Sequence, residues 1–165
     1  MNLKFLHALP ALFLLVACET APTTDGTGAG AGGANAGLDG YDTAGLSPEQ
    51  DALIREAGDR VFFALDSSEL TSEGRATLTK QADFLKGRSE LKFTIEGHCD
   101  ERGTREYNLA LGERRANAVK KFLVGAGISS SRLNTISYGK ERPAVTGSNE
   151  EAWAQNRRGV SVVTK

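Results

Sequence analysis

Within one short segment, Gly97-His98-Cys99-Asp100-Glu101-Arg102-Gly103-Thr104, this chain places an imidazole, a thiol, carboxylates and a guanidinium. Two chemistries suit that set. In nucleophilic catalysis a histidine activates the thiol and a carboxylate orients the ring. In charge recognition a carboxylate and a guanidinium receive opposite ends of a zwitterion. The residues leading into the segment alternate, with Leu91, Phe93, Ile95, Gly97 and Cys99 on one side and Lys92, Thr94, Glu96 and His98 on the other. Successive side chains of a strand point to opposite faces, so Cys99 aims away from His98 and Asp100 and continues an apolar face. That spacing argues against a catalytic thiol.

Charge recognition draws on the long helix expected next, from about Tyr107 to Ala126, closed by Gly125 and Gly127. Leu111, Ala118, Val119, Phe122 and Ala126 fall on one stripe of it, with Ala116 and Leu123 at the edge. Arg115 lies in the middle of that stripe. A guanidinium on an apolar face is costly unless a carboxylate or an anionic ligand satisfies it, and the nearest carboxylate in sequence is Asp100. A purely structural ion pair, or an arginine reaching out past the helix edge, accounts for Arg115 equally well on pattern alone.

Elements that can position these residues are readable on either side. Ser47-Pro48-Glu49 has the form of a helix start, with a capping serine before a first-turn proline, and the helix would end near Gly58. Val61-Phe62-Phe63-Ala64-Leu65 is an apolar run suited to a buried strand, followed by a turn at Asp66-Ser67-Ser68. Thr71 to Lys86 reads as a helix with Leu78, Ala82 and Leu85 on one face and Gly87 as its stop. Beyond the long helix come a strand near 133–138, a loop around Pro143, a short helix near 149–154 and a strand at 158–163. Alternating strands and helices predict an α/β or α+β domain over 47–165, with helices packed on a mixed sheet.

Composition narrows the ligand. Twenty basic residues against twenty-one acidic ones, net charge −1, give no electrostatic reason to expect a nucleic acid. Two cysteines, with no CxxC or His/Cys ligand spacing, suggest neither a disulfide framework nor zinc, and no cofactor is expected. The apolar run from Phe5 to Ala17 spans about 20 Å as a helix, short of a hydrocarbon core of roughly 30 Å, so residues 1–17 read as a signal peptide. Residues 18–46 are rich in Gly, Ala and Thr, bury too little to offset chain entropy and read as a disordered tether.

Two resemblances extend this reading. Leu15-Val16-Ala17-Cys18 resembles the bacterial lipobox, which implies that Cys18 becomes the acylated first residue of the mature chain. Glu19, in place of an aspartate, implies sorting to the outer membrane, with the domain in the periplasm. The segment GHCDERGTREYNLALGERRANAV, with SYGKERPAV and QNRRGVSVV behind it, resembles the signature of the OmpA-like peptidoglycan-binding domain over about residues 58–164.

That resemblance implies the α+β class, as a β-α-β-α-β sandwich with a further strand, binding the diaminopimelate residue of peptidoglycan stem peptides. Carried over by position, Asp100 grips the diaminopimelate amine and Arg115 its carboxylate. The loop that offers a backbone N–H falls at Asp66, and Arg102, Asn108 and Leu111 complete the lining. Leu65 stands where relatives commonly carry phenylalanine. Lipoprotein members of the family also bind the β-propeller protein TolB, in a system that draws the outer membrane inward during division. The function implied is a non-enzymatic link from outer membrane to wall, with a wall-acting hydrolase or transferase as the alternative. The link predicts that Asp100→Ala or Arg115→Ala loses wall binding while the fold survives.

Overall fold

The computed structural model describes residues 45–165. The expected signal peptide over 1–17, Cys18 and the expected tether as far as residue 44 lie outside the described residues. Four helices, α1 (Pro48–Glu56), α2 (Ser72–Lys86), α3 (Arg105–Gly125) and α4 (Glu150–Asn156), alternate with four strands, β1 (Arg60–Phe62), β2 (Lys92–His98), β3 (Leu133–Gly139) and β4 (Arg158–Thr164). The resulting architecture is α+β, as expected.

Helix starts follow from local chemistry. The side chains of Ser47, Thr71, Thr104 and Asn149 each accept a hydrogen bond from a backbone N–H in the first turn of their helix, the role that favours Ser, Thr and Asn at an N-cap. Helix α2 stops at Gly87 with ordinary right-handed geometry (φ −74°), whereas the chain leaves α3 through Gly127 at φ +97°, which favours glycine.

The sheet order is β1-β4-β2-β3. Strand β4 runs antiparallel to both β1 and β2, while β2 and β3 are parallel and need the crossover that α3 supplies. Leu78, Ala82 and Leu85 of α2, Phe93 and Ile95 of β2, and Ala116, Val119 and Leu123 of α3 form the core between helices and sheet.

Three expectations change. The apolar run 61–65 is not a buried strand throughout. Pairing ends soon after Phe62: Val61 and Phe63 face the core while Phe62 between them is exposed, and Leu65, past the end of the strand, is exposed as well. Second, the buried face of α3 is centred on Gly112, Ala116, Val119 and Leu123, so Ala116 and Leu123 sit at its middle and Ala118, Phe122 and Ala126 are half-buried. The cause is a backbone contact. A Cβ on Gly97 would collide with the Gly112 carbonyl, and one on Gly112 with the Ser137 hydroxyl, so strand and helix meet through two glycines. Third, His98 is buried on the face expected to be polar, its ring beside Tyr138 and hydrogen-bonded to Glu96. A register shift between β2 and β3 at Gly97/His98 brings Tyr138 there.

Candidate functional site

The ends of β1 and β2 and the start of α3 open one cleft of about 180 Å³. Asp66, Asp100, Arg102, Asn108, Leu111 and Arg115, the six residues marked in the sequence, all line it. Leu65, Cys99, Gly103 and Tyr107 complete the wall. Leu65, more than half exposed, forms a rim where an aromatic ring was noted as more usual.

Arg115 does not pair with Asp100. It is fully buried, and its guanidinium donates to three carbonyls: Nε to Ser67 (2.8 Å), Nη1 to His98 (2.8 Å) and Nη2 to Ala64 (3.1 Å). It therefore ties the turn after β1 to the end of β2, two strands that β4 separates in the sheet. Neither a structural ion pair nor an exposed head describes it. Burial lowers its pKa, partly offset by the nearby Cys99 and Asp100, but a guanidinium stays charged near neutral pH. Among the described residues no carboxylate forms an ion pair with it: its direct partners are three carbonyl dipoles, and Asp100 acts on it only at longer range.

Asp100, also buried, is held by two other arginines. Arg102 donates through Nε to Oδ1 (3.2 Å), through Nη2 to Oδ2 (2.6 Å) and through its backbone N–H to Oδ1 (3.1 Å). Arg157, the residue that follows α4, donates to Oδ2 at 3.4 Å. Burial alone would raise the Asp100 pKa, but the bonds from Arg102 and Arg157 outweigh it and hold the carboxyl below its ordinary value.

The loop between them is built by Asn108 and Gly103. The Asn108 amide donates to the carbonyls of Arg102 (2.7 Å) and Thr104 (3.0 Å), so this buried side chain shapes the loop. Gly103 adopts φ +88°, a left-handed turn that returns the chain to the Thr104 cap. Across the cleft Asp66 is the one non-glycine described residue with positive φ (+50°), and its carboxylate accepts from the Tyr107 hydroxyl. Leu111 supplies an apolar floor.

Cys99 is buried, its Sγ 3.4 Å from the Asn108 carbonyl, and burial pushes its thiol above the ordinary pKa. A buried thiol kept protonated is a poor nucleophile. Sequence reasoning missed Tyr107 and Arg157. Tyr107 follows Glu106 at the helix start with no pattern to distinguish it, and Arg157 lies 57 residues from the carboxylate it touches. Its one trace in sequence is the Arg157-Arg158 pair ahead of an apolar strand, where two cations crowd a core boundary.

Known proteins are similar to this chain in sequence and in fold. A model of the OmpA family matches residues 62–157. Peptidoglycan-associated lipoproteins are similar along nearly the whole chain. The one from Mesorhizobium japonicum is 43% identical over 157 residues, 95% of this chain and 89% of the relative. That from Pseudomonas aeruginosa is 46% identical over 155 residues, 90% and 91% of the two. Among solved structures, the peptidoglycan-associated lipoprotein from Burkholderia pseudomallei superposes with a TM-score of 0.63 at 40% identity, covering 64% of this chain and 90% of that one. The C-terminal domain of Helicobacter pylori MotB superposes with a TM-score of 0.59 at 20% identity, over 64% and 83%, a likeness of fold alone.

Proposed function

We infer what this chain does from a premise now in hand: it belongs to the OmpA family and, within it, to the peptidoglycan-associated lipoproteins. It is a peptidoglycan-binding lipoprotein of the bacterial envelope. It recognises the free amino-acid end of diaminopimelate in stem peptides, with Asp100 taking the ammonium and Arg115 the carboxylate. The backbone at Asp66 and the side chains of Arg102, Asn108 and Leu111 frame that end.

One observation carries this reading. A carboxylate and a charged guanidinium share a single cleft without pairing to each other, which suits a ligand bearing both charges. Anchorage follows from acyl chains on Cys18 at the outer membrane and a tether over 18–46 reaching into the periplasm. Each buried methylene contributes about 0.8 kcal/mol, so two or more chains hold durably. Many anchored copies facing one polymer bind it multivalently even where each site is weak. TolB and the Tol–Pal system are the partners this reading assigns, and envelope constriction at division is the process.

The test is a pull-down on isolated wall sacculi. Wild type should sediment with the wall and Asp100→Asn should not, while its thermal melt stays cooperative. Equal sedimentation of the two would defeat the assignment. The same incubation addresses the hydrolase or transferase alternative, which the protonated Cys99 thiol disfavours: no soluble fragment should be released.

A further inference from the structure

Asp100 has no acceptor position left. Four N–H groups already reach its two oxygens, the backbone N–H and Nε of Arg102 on Oδ1, and Nη2 of Arg102 with Nη1 of Arg157 on Oδ2. An ionised carboxylate offers roughly four lone-pair sites. An ammonium can therefore bind Asp100 only by displacing a donor.

The two arginines differ in freedom. Arg157 is buried and tied to three acceptors, the Phe63 carbonyl (3.1 Å), Asp100 (3.4 Å) and Glu150 (2.6 Å). The Arg102 side chain is about a third exposed. Its guanidinium carbon lies 4.0 Å over the Trp153 ring, and its Nη1 is already 3.9 Å from Glu150 Oε2. Asp100, Arg102, Glu150 and Arg157 thus close a ring of alternating charge, linked at 2.6, 3.9, 2.6 and 3.4 Å. Its longest link, from Arg102 to Glu150 at 3.9 Å, is the one that a shift of Arg102 would shorten.

We propose that Arg102 is an internal stand-in for the ligand's ammonium, and that binding moves its guanidinium from Asp100 to Glu150 across the face of Trp153. The carboxylate is never left without a cation, and the arriving ammonium exchanges one partner for another. Arg102 thereby sets specificity: only a ligand whose cation reaches Asp100 while its anion reaches Arg115 repays the exchange, and a simple amine does not. Glu150 is a positioning residue that receives the displaced charge, and Trp153 is the surface on which it slides.

The proposal rests on Asp100 being the ammonium site, and its test separates the two ideas. Trp153 is the single tryptophan of the chain, so its fluorescence reports the guanidinium above it. Titrating the full-length chain with meso-diaminopimelate should change that emission, and cadaverine at the same concentration should not. Removing the competitor in Arg102→Gln should tighten diaminopimelate binding and abolish the emission change. Glu150→Gln should weaken binding in the wild-type background by about threefold or more, and by distinctly less in the Arg102→Gln background, the coupling expected of residues sharing one charge. A purely structural Glu150, acting only by fixing Arg157, would weaken both backgrounds equally and overturn the proposal. So would weaker binding in Arg102→Gln, or an unchanged emission on binding. If Asp100→Asn binds diaminopimelate as wild type does, the underlying assignment fails instead.

Discussion

Arg115 does two jobs with one side chain. Its fork fixes three carbonyls at the ends of two strands while its charge faces the cleft. An unsatisfied buried carbonyl costs about 1–3 kcal/mol, so Arg115→Ala should lose about 3 kcal/mol or more of stability along with binding. The fold is still expected to survive this change at reduced stability, and melts should show Arg115→Ala far below Asp100→Asn. Arg115→Lys, which keeps the charge and loses the fork, should recover only part of the deficit.

Asp100 carries a pH signature. Its folded carboxyl titrates below the unfolded value of about 3.9, so its stabilising effect is complete above that value and is lost as pH falls beneath it. The gap in melting temperature between wild type and Asp100→Asn should be constant from neutral pH down to about 4 and close at lower pH. A gap unchanged through the acid range would contradict the ion pairs described. The sequence made Asp100 and Arg115 conspicuous, since a loop acid and a cation on an apolar stripe both ask for partners. It could not reveal those partners: the backbone carbonyls that hold Arg115 leave no mark in a pattern of residue types, and Arg157 is far from Asp100 along the chain.

At the scale of elements, the Ser47 cap was legible, whereas the residue pattern puts the start of α3 at about Tyr107, past its Thr104 cap. Ser47, Thr71, Thr104 and Asn149 start helices through local hydrogen bonds, and local chemistry is what a sequence displays. The length of β1 was not legible, because pairing on one side only is a property of the finished sheet. Nor was the buried face of α3. Counting apolar side chains points to Phe122 and Ala118, whereas the closest packing is made by residues with no side chain, Gly97 and Gly112. Gly97→Ala should therefore destabilise by at least the roughly 1–3 kcal/mol typical of an overpacked core, and denaturant melts would measure it. A neutral Gly97→Ala would mean that β2 and α3 can part without loss. The same contact fixes the height of α3 above β2, and hence where Arg115 meets the His98 carbonyl.

On the scale of the whole molecule, the proposed anchor at Cys18 and the proposed wall-binding cleft can be tested separately. Cys18→Ser should leave sacculus binding by the purified chain unchanged and release the chain from the membrane fraction into the soluble periplasm. Retention of the variant in membranes would point to a different anchor. Within the described residues no helix is long and apolar enough to cross a membrane.

Strand β4 comes last along the chain yet lies between β1 and β2, which pair with it and not with each other. The Ala64–Ser67 turn and the Asp100 loop therefore reach their mutual distance only after the C-terminal residues have inserted. A copy without β4 holds both halves of the cleft with the Arg115 fork alone, and no strand pairing, to align them. Competence to grip the wall is thus withheld until the final stretch of polypeptide has arrived.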